Sequence, residues 1–399
     1  MQTALIFRER ILTPSETFIL EQAKPLCRYR PVIVGLRRTA PSLRHTMGEL
    51  LLRNGDSLID KIAVNLYRRF PISPDFFRRI RATEPSIVHA HFAIDALQAL
   101  PIARKLNLPL VVSLHGYDVT SSDKALRTSF AGRHFLGNRK LLFSEAAAFI
   151  CVSRFVRDAA LKAGFPESKL HVHYTGLDCE RFRPAGIERD PKLILFVGRL
   201  VEKKGCEYLL RAMSLVRQLD PEVRLEVIGD GPLRAKLHAI AADLRLAVSF
   251  RGAQSPDEVL RAMSRARVLC NPSVTASSGD MEGFGMVFAE AQAVGTPVVS
   301  FNHAAIPEVV NNGRTGLLCP EKKTSALAHS LLTLLNNGAL WWSMSRQAVE
   351  WVNDRFDIRK QTRNLESLYD ECVAQRKHAY SDLSQPNRWS GTGHKVMRA

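Results

Sequence analysis

Short apolar-rich runs, many of them stopped by glycine, proline or asparagine and alternating with longer helical stretches, recur through most of the 399 residues of this chain. In the first half Pro31–Leu36, Ile87–His91, Leu110–His115 and Phe149–Ser153 read as strands, and Ala93–Leu106 reads as a helix ended by Asn107 and Pro109. In the second half Leu193–Val197 precedes Gly198, and Arg224–Ile228 precedes Gly229-Asp230-Gly231. Val248–Phe250 precedes Gly252, and Ala266–Cys270 precedes Asn271-Pro272. A strand with one wet face alternates polar and apolar residues; runs such as Leu193–Val197 and Phe149–Val152 are apolar throughout and therefore covered on both faces. Spaced by helices, they specify an α/β chain of parallel sheets sandwiched between helices.

The charge-rich stretch Asp178–Pro191, with Pro184, Gly186 and Pro191, interrupts the pattern. It predicts a first domain over 1–184 and a second over 185–357. A C-terminal helix over 358–374 is expected to pack back on the first domain. Periodicity is lost from about Gln375, so disorder is expected over 375–399. Each half has the size of a Rossmann-like domain. Ligands of such sheets lie beyond the carboxyl ends of the strands, so two facing domains would share one cleft.

The seven cysteines are scattered without a C-x-x-C pair, which argues against a zinc site or a disulfide framework and fits reduced thiols in a cytoplasmic protein. No apolar run is long enough to span a bilayer, and Met1–Phe7 lacks the basic start and extended apolar core of a signal peptide. Net charge is +17 and uneven: residues 1–186 hold 28 of the 56 basic but 16 of the 39 acidic side chains, leaving +12 there and +5 in the remainder. A basic half suits polyanionic partners. Within it, Lys61–Arg81 interleaves cations with Tyr67, Phe70, Phe76 and Phe77, which suits an anionic membrane surface. The alternative is a basic helix whose aromatics are core. Nothing around this segment resembles a nucleic-acid-binding module.

The chemistry concentrates in Glu282-Gly283-Phe284-Gly285-Met286-Val287-Phe288-Ala289-Glu290. The glycines open a helix whose first amides are free to meet an anion. Glu282 stands at its mouth and Glu290 on the helix itself. That layout suits a diphosphate with hydroxyl-rich groups at both ends, as in a nucleotide-sugar. After Leu193–Val197, Gly198 ends the strand, and Arg199 and Lys204 flank a turn closed by Gly205; two such cations can clamp a diphosphate. Val227–Leu233 matches a dinucleotide fingerprint only superficially, because Arg234 takes the third glycine position. His115 follows a first-half strand and precedes Gly116, so it is placed to face the cleft. His89 and His91 share one strand face, but no third metal ligand is apparent, and no Asp-x-Asp occurs, so no metal is expected.

Taken in order, these pieces resemble the retaining glycosyltransferase family 4, with its GT-B fold of two facing Rossmann-like domains. They are His115-Gly116-Tyr117-Asp118, Val152-Ser153, Gly176-Leu177-Asp178 with Phe182 and Pro184, Gly198–Gly205, Gly229–Pro232, the Glu282/Glu290 pair, Ala305–Val310 and Thr315–Leu318. The opening Ser15–Ile19, His89–Phe92 and Gly279–Glu282 are similar to a narrower group that assembles exopolysaccharides such as colanic acid.

The resemblance implies an acceptor-binding first domain and a donor-binding second one. Arg199 and Lys204 would hold the donor diphosphate, and Glu282 the sugar hydroxyls. Gly198 and the amides of Gly283, Phe284 and Gly285 would line the donor, Glu290 would bind its ribose, and His115 would lie beside the sugar. Asp118, Gly231 and Gly252 are further candidates. The donor is a co-substrate and no cofactor is implied. The acceptor would be a saccharide, free or carried on a polyprenyl diphosphate, met peripherally at the cytoplasmic face of an inner membrane. The sequence departs from the family where many relatives have a Gly-Gly pair: Thr13–Thr17 stands there. A nucleotide-sugar epimerase of the same fold and a non-catalytic nucleotide-sugar-binding protein remain as alternatives.

Overall fold

The computed structural model describes residues 1–11, 16–38, 45–55 and 57–384. Two sheets carry the chain. The first contains β1 (Gln2–Phe7), β2 (Arg10–Ile11), β3 (Tyr29–Arg38), β4 (Gly48–Arg53), β5 (Pro85–His91), β6 (Leu110–Leu114), β7 (Ala148–Cys151) and β8 (Leu170–Val172). The second contains β9 (Leu193–Val197), β10 (Arg224–Ile228), β11 (Val248–Gly252), β12 (Val268–Cys270), β13 (Val298–Phe301) and β14 (Gly316–Cys319). Neighbouring strands pair in parallel throughout the described residues, for example Leu5 with Val32 and Val227 with Phe196. The apolar runs therefore occupy the doubly covered positions that their composition requires.

Strand order positions the cleft. The second sheet runs β11-β10-β9-β12-β13-β14, so the order reverses between β9 and β12. The first runs β3-β1-β5-β6-β7-β8, with β2 and β4 paired to β3, and reverses between β1 and β5. At each reversal the connections leave to opposite faces and open a crevice at the carboxyl ends of the strands.

The chain crosses between the domains twice, side by side. Leu177 N–H donates to Phe356 O (2.7 Å) and Ile358 N–H donates to Leu177 O (2.9 Å). Beyond the second crossing the helix Ile358–Ser384 returns to the first domain. It seats Leu365, Tyr369, Cys372 and Val373 against Ala4, Ile6, Ile33 and Ile87. Glu366 accepts from the amides of Cys27 (2.7 Å) and Arg28 (2.6 Å), and Asp370 accepts from Tyr29 Oη (2.8 Å). The helix continues through Gln375, where the sequence led us to expect disorder, as far as Ser384. An apolar stripe is not needed to extend an anchored helix when strong helix formers such as Ala374, Gln375, Arg376 and Lys377 follow. Residues 385–399 fall outside the described residues.

Candidate active site

In the second domain β9 ends at Gly198, whose amide donates to Ile228 O (3.0 Å). Asn271, just past β12, bridges the reversal point: its side chain accepts from Val197 N (3.2 Å) and donates to Val197 O (2.7 Å). Arg199 stands exposed at the next position. A short turn, Glu202–Lys204, then brings the Lys204 ammonium back to an ion pair with Glu282, and Ser273 Oγ lies 3.4 Å from the same carboxylate oxygen. Lys203 holds Asp280 (3.0 Å) beside it. Burial pushes the Glu282 carboxyl up, but Lys204, Lys203 and Arg199 together outweigh it and draw it down to about 2. Glu282 is therefore a fixed anion at neutral pH.

Glu282 leads into the helix Met286–Ala293 through Gly285, whose φ of +84° is a left-handed conformation that other residues rarely adopt. Glu290 lies on that helix, and no side-chain hydrogen bond to it is found among the described residues. Burial raises its carboxyl to about 7, against weaker opposition from Arg181 and Lys204. The two carboxylates that look alike in the sequence thus differ: one is firmly ionised and one is poised near neutrality. The Phe284 ring is turned away, edge-on to Phe356 (5.3 Å) and tilted to Tyr174 (6.0 Å), so this residue offers a ligand its main chain only. Gly231 lies against the backbone of Leu200, and Gly252 O accepts from Gly229 N (2.8 Å); both shape the turns beneath the Gly198 loop.

The first domain supplies the facing wall. His115 follows β6, and its ring is packed among Phe18 (4.9 Å), Phe92 (4.6 Å) and His91 (5.3 Å). Its Nε2 is hydrogen-bonded to His91 Nδ1 (3.0 Å). Burial, with help from His89 and Arg8, lowers it to about 3, so the imidazole is neutral. His89 is satisfied by Ser113 Oγ and Tyr369 Oη and stacks on His91 (4.5 Å between ring centroids), so the two histidines of β5 form a stacked column behind His115. Asp118 does not face the cleft. It is buried, accepting from His115 N (3.1 Å) and from Ala93 N (2.9 Å) at the start of the helix Ala93–Leu106. It fixes the loop that presents His115. Burial raises its carboxyl to about 6, with those amides pulling the other way.

The two walls touch at Gly283. A Cβ there would lie 2.8 Å from the carbonyl carbon of His115, and Ser153 Oγ donates to Gly283 O (2.7 Å). The domains are also joined by Glu308, which accepts from the first amides of the helix Arg154–Lys162 (2.8 Å each) and from Tyr174 Oη (3.0 Å). The His115 and Glu282 loops, far apart in sequence, thus form one cleft.

Two family models match the chain, "Glycosyltransferase Family 4" over residues 20–181 and "Glycosyl transferases group 1" over residues 179–351. Together the two matches run from residue 20 to residue 351, one over each domain. It is 32% identical over 261 residues to the amylovoran biosynthesis glycosyltransferase AmsK of Erwinia amylovora, covering 63% of this chain and 61% of that protein. It is 31% identical over 249 residues to the putative colanic acid biosynthesis glycosyltransferase WcaL of Escherichia coli, covering 61% and 59%. The matches thus span about three fifths of these relatives. Among solved structures, Anabaena HepE in complex with UDP and glucose superposes with a TM-score of 0.72 at 20% identity, over 93% of this chain and all of that one. The fold is GT-B.

Several site-forming residues of this chain escape a reading by motif. Lys203 and Asp280 brace the Glu282 loop, and Ser153 and Glu308 close the domain contact. Arg8, at the carboxyl end of β1, pairs with Glu16 (2.7 Å) and Asp95 and lies over Phe92 (4.4 Å), immediately behind His115. Its place after a strand at the reversal point was the available signal. Of the segment where many relatives have Gly-Gly, residues 13–15 lie outside the described residues.

Proposed function

We propose that this chain transfers a glycosyl group from a nucleotide-sugar to a saccharide acceptor carried on a lipid, with retention of configuration and without a metal ion. The observation that carries the reading is the Lys204–Glu282 pair at the mouth of the Met286–Ala293 helix, with Arg199 unshielded beside it and His115 opposite. Each group has a task that the geometry supports. Glu282, held ionised by three cations, accepts hydrogen bonds from donor-sugar hydroxyls. Lys204, anchored by Glu282, and Arg199 neutralise the diphosphate as it leaves, aided by the helix amides. These cations supply the charge that a metal would otherwise bring. Glu290, further along the helix, takes the ribose hydroxyls.

His115 is neutral at physiological pH, so it can stand beside an anomeric carbon developing positive charge without repelling it. Retention then follows if the acceptor enters on the face the diphosphate leaves, with a donor phosphate oxygen taking the acceptor proton. No protein nucleophile is needed. The similarity to exopolysaccharide transferases supports a growing surface polysaccharide as the acceptor class.

The test begins with thermal-shift screening against UDP-, GDP-, ADP- and dTDP-sugars, since bound ligand raises the melting temperature with the logarithm of its excess over Kd. With the donor found, Arg199→Ala is the informative variant, because among the described residues its exposed side chain makes no hydrogen bond or ion pair and is the weakest of the three cations acting on Glu282. Transfer is expected to fall by ~100-fold or more with the melting temperature unchanged, and a chelator is expected to have no effect on wild-type transfer. Wild-type turnover in Arg199→Ala, or strict Mn²⁺ dependence, contradicts the reading. Conversion of the donor in the absence of acceptor identifies an epimerase instead.

A further inference from the structure

We propose that the outer face of the helix Leu58–Arg69, continued through the corner Phe70–Ile72, is a docking surface for an anionic lipid bilayer. The sequence leaves two readings of the Lys61–Arg81 segment, a membrane patch that uses its aromatics or a basic helix whose aromatics are core. The structure buries most of those: Tyr67, Phe76 and Phe77 are core residues beneath β3 and β4. What it leaves outside is aliphatic apart from Phe70. Leu58, Ile59, Ile62, Leu66, Phe70 and Ile72 are between 54 and 74% exposed.

Their spacing makes this a surface. Positions 59, 62, 66 and 70 follow one line along a helix, and 58 flanks it. Val64 and Tyr67, the buried residues of the same helix, point roughly the opposite way. A helix on a globular protein normally turns its apolar stripe inward and its polar face outward. This one carries apolar side chains on both sides, and nothing in the described residues covers the outer ones. The element is built to be rigid. Ser57 and Asp60 form a reciprocal N-terminal cap, and Pro74 starts the next helix, Pro74–Arg81, directly after the corner.

Charge selects the occupant. Residues 53–81 hold seven Lys and Arg against three Asp and Glu, and Arg53, Lys61, Arg69 and Arg81 are exposed around the stripe. An apolar strip flanked by cations is the pattern of a helix that lies in a lipid interface, its side chains among the acyl chains and its cations at anionic headgroups. A second copy of this chain would oppose two basic rims and is disfavoured by the same charges. The position fits a lipid-carried acceptor: Arg68, in the last turn of the helix, pairs with Glu9 next to Arg8, at the rim of the His115 wall. The surface itself is argued from exposure and charge and does not rest on the transfer reaction.

The experiment is co-sedimentation of the full chain with phosphatidylcholine vesicles with and without phosphatidylglycerol, in the absence of donor and acceptor. The wild type is expected to bind the anionic vesicles, less well in high salt, and to ignore phosphatidylcholine alone. Ile62→Glu/Leu66→Glu is expected to bind at least ~10-fold more weakly at an unchanged melting temperature. Trp342→Glu, at an exposed apolar position of the other domain, is expected to bind as the wild type does. Should the double variant fail to fold, Ile59→Ser and Arg69→Gln serve in its place. Three results overturn the proposal: no binding of the wild type to anionic vesicles, equal binding by the variants of this face, or a wild-type dimer that these variants dissolve, which would make the face an interface between copies.

Discussion

Replacing Lys204 by methionine keeps the side-chain stem and deletes the ammonium that faces Glu282. Burial alone would hold the Glu282 carboxyl above its ordinary 4.5; Lys204, Lys203 and Arg199 bring it to about 2. That difference corresponds to ~3 kcal/mol in favour of the ionised form at neutral pH. Because folding depresses this pKa, the stabilisation is complete above about pH 4.5 and is lost as the pH falls through about 2. Lys204 is the largest of the three contributors and also hydrogen-bonds the carboxylate. Its loss should remove most of the effect, roughly 2–3 kcal/mol, or about 4–12 °C in the melting temperature of a domain this size.

The pH dependence should then invert. With burial dominant, Glu282 is raised above its ordinary value in Lys204→Met, so the deficit is largest near neutrality and shrinks as acid neutralises the carboxylate. Glu282→Gln in the same chain removes the stranded charge, so Lys204→Met/Glu282→Gln should recover at least half of the loss. Melting temperatures of the four proteins across pH, read as a double-mutant cycle, decide the matter. A double variant that melts lower by the sum of the two single losses, with no pH trend, refutes the reasoning.

Three further outcomes are expected. Gly283→Ala places a methyl group against the His115 carbonyl. Transfer should fall ~10-fold or more and small-angle scattering should show a more open molecule, while each domain melts near its wild-type temperature; normal turnover would mean that the contact is dispensable. Asp118→Ala removes the acceptor shared by His115 N and Ala93 N, at a cost of ~1–2 kcal/mol. Asp118→Asn should restore about half of it by urea titration, and equal loss in both variants would deny the capping role. Folding raises Glu290 from 4.5 to about 7, so the wild type is penalised increasingly as the pH climbs through that window. Glu290→Gln should therefore gain on the wild type in melting temperature between about pH 5 and pH 8, whereas parallel curves would show that the carboxyl titrates normally.

Much of this molecule is written in local patterns. β9 and β10 and the helix Ala93–Leu106 have the boundaries that apolar-rich runs and their stops predict, because a doubly covered strand must be largely apolar and Asn107 can take the left-handed turn that ends the helix. The Arg199, Lys204, Glu282 and Glu290 set was legible for a similar reason: a strand end, a turn and a helix start are short-range events. The Lys61–Arg81 segment was legible as basic and amphipathic, but composition could not say which apolar residues faced inward. Packing beneath β3 and β4 decided that, taking Phe76 and Phe77 and leaving Ile59 and Ile62 outside.

Tertiary structure alone decided the rest. Asp118 is a candidate by its motif, and only the fold shows its oxygens capping two backbone segments; only the fold shows the Phe284 ring against Phe356, with its main chain as the part a ligand could meet. Lys203–Asp280, Ser153–Gly283 and the Glu308 cap join positions 77 to 154 residues apart, and no local pattern encodes such a distance. The opposite shifts of Glu282 and Glu290 have the same origin. Sequence supplies two carboxylates on one motif; the field at each is set by which cations the fold brings close and how much water it removes.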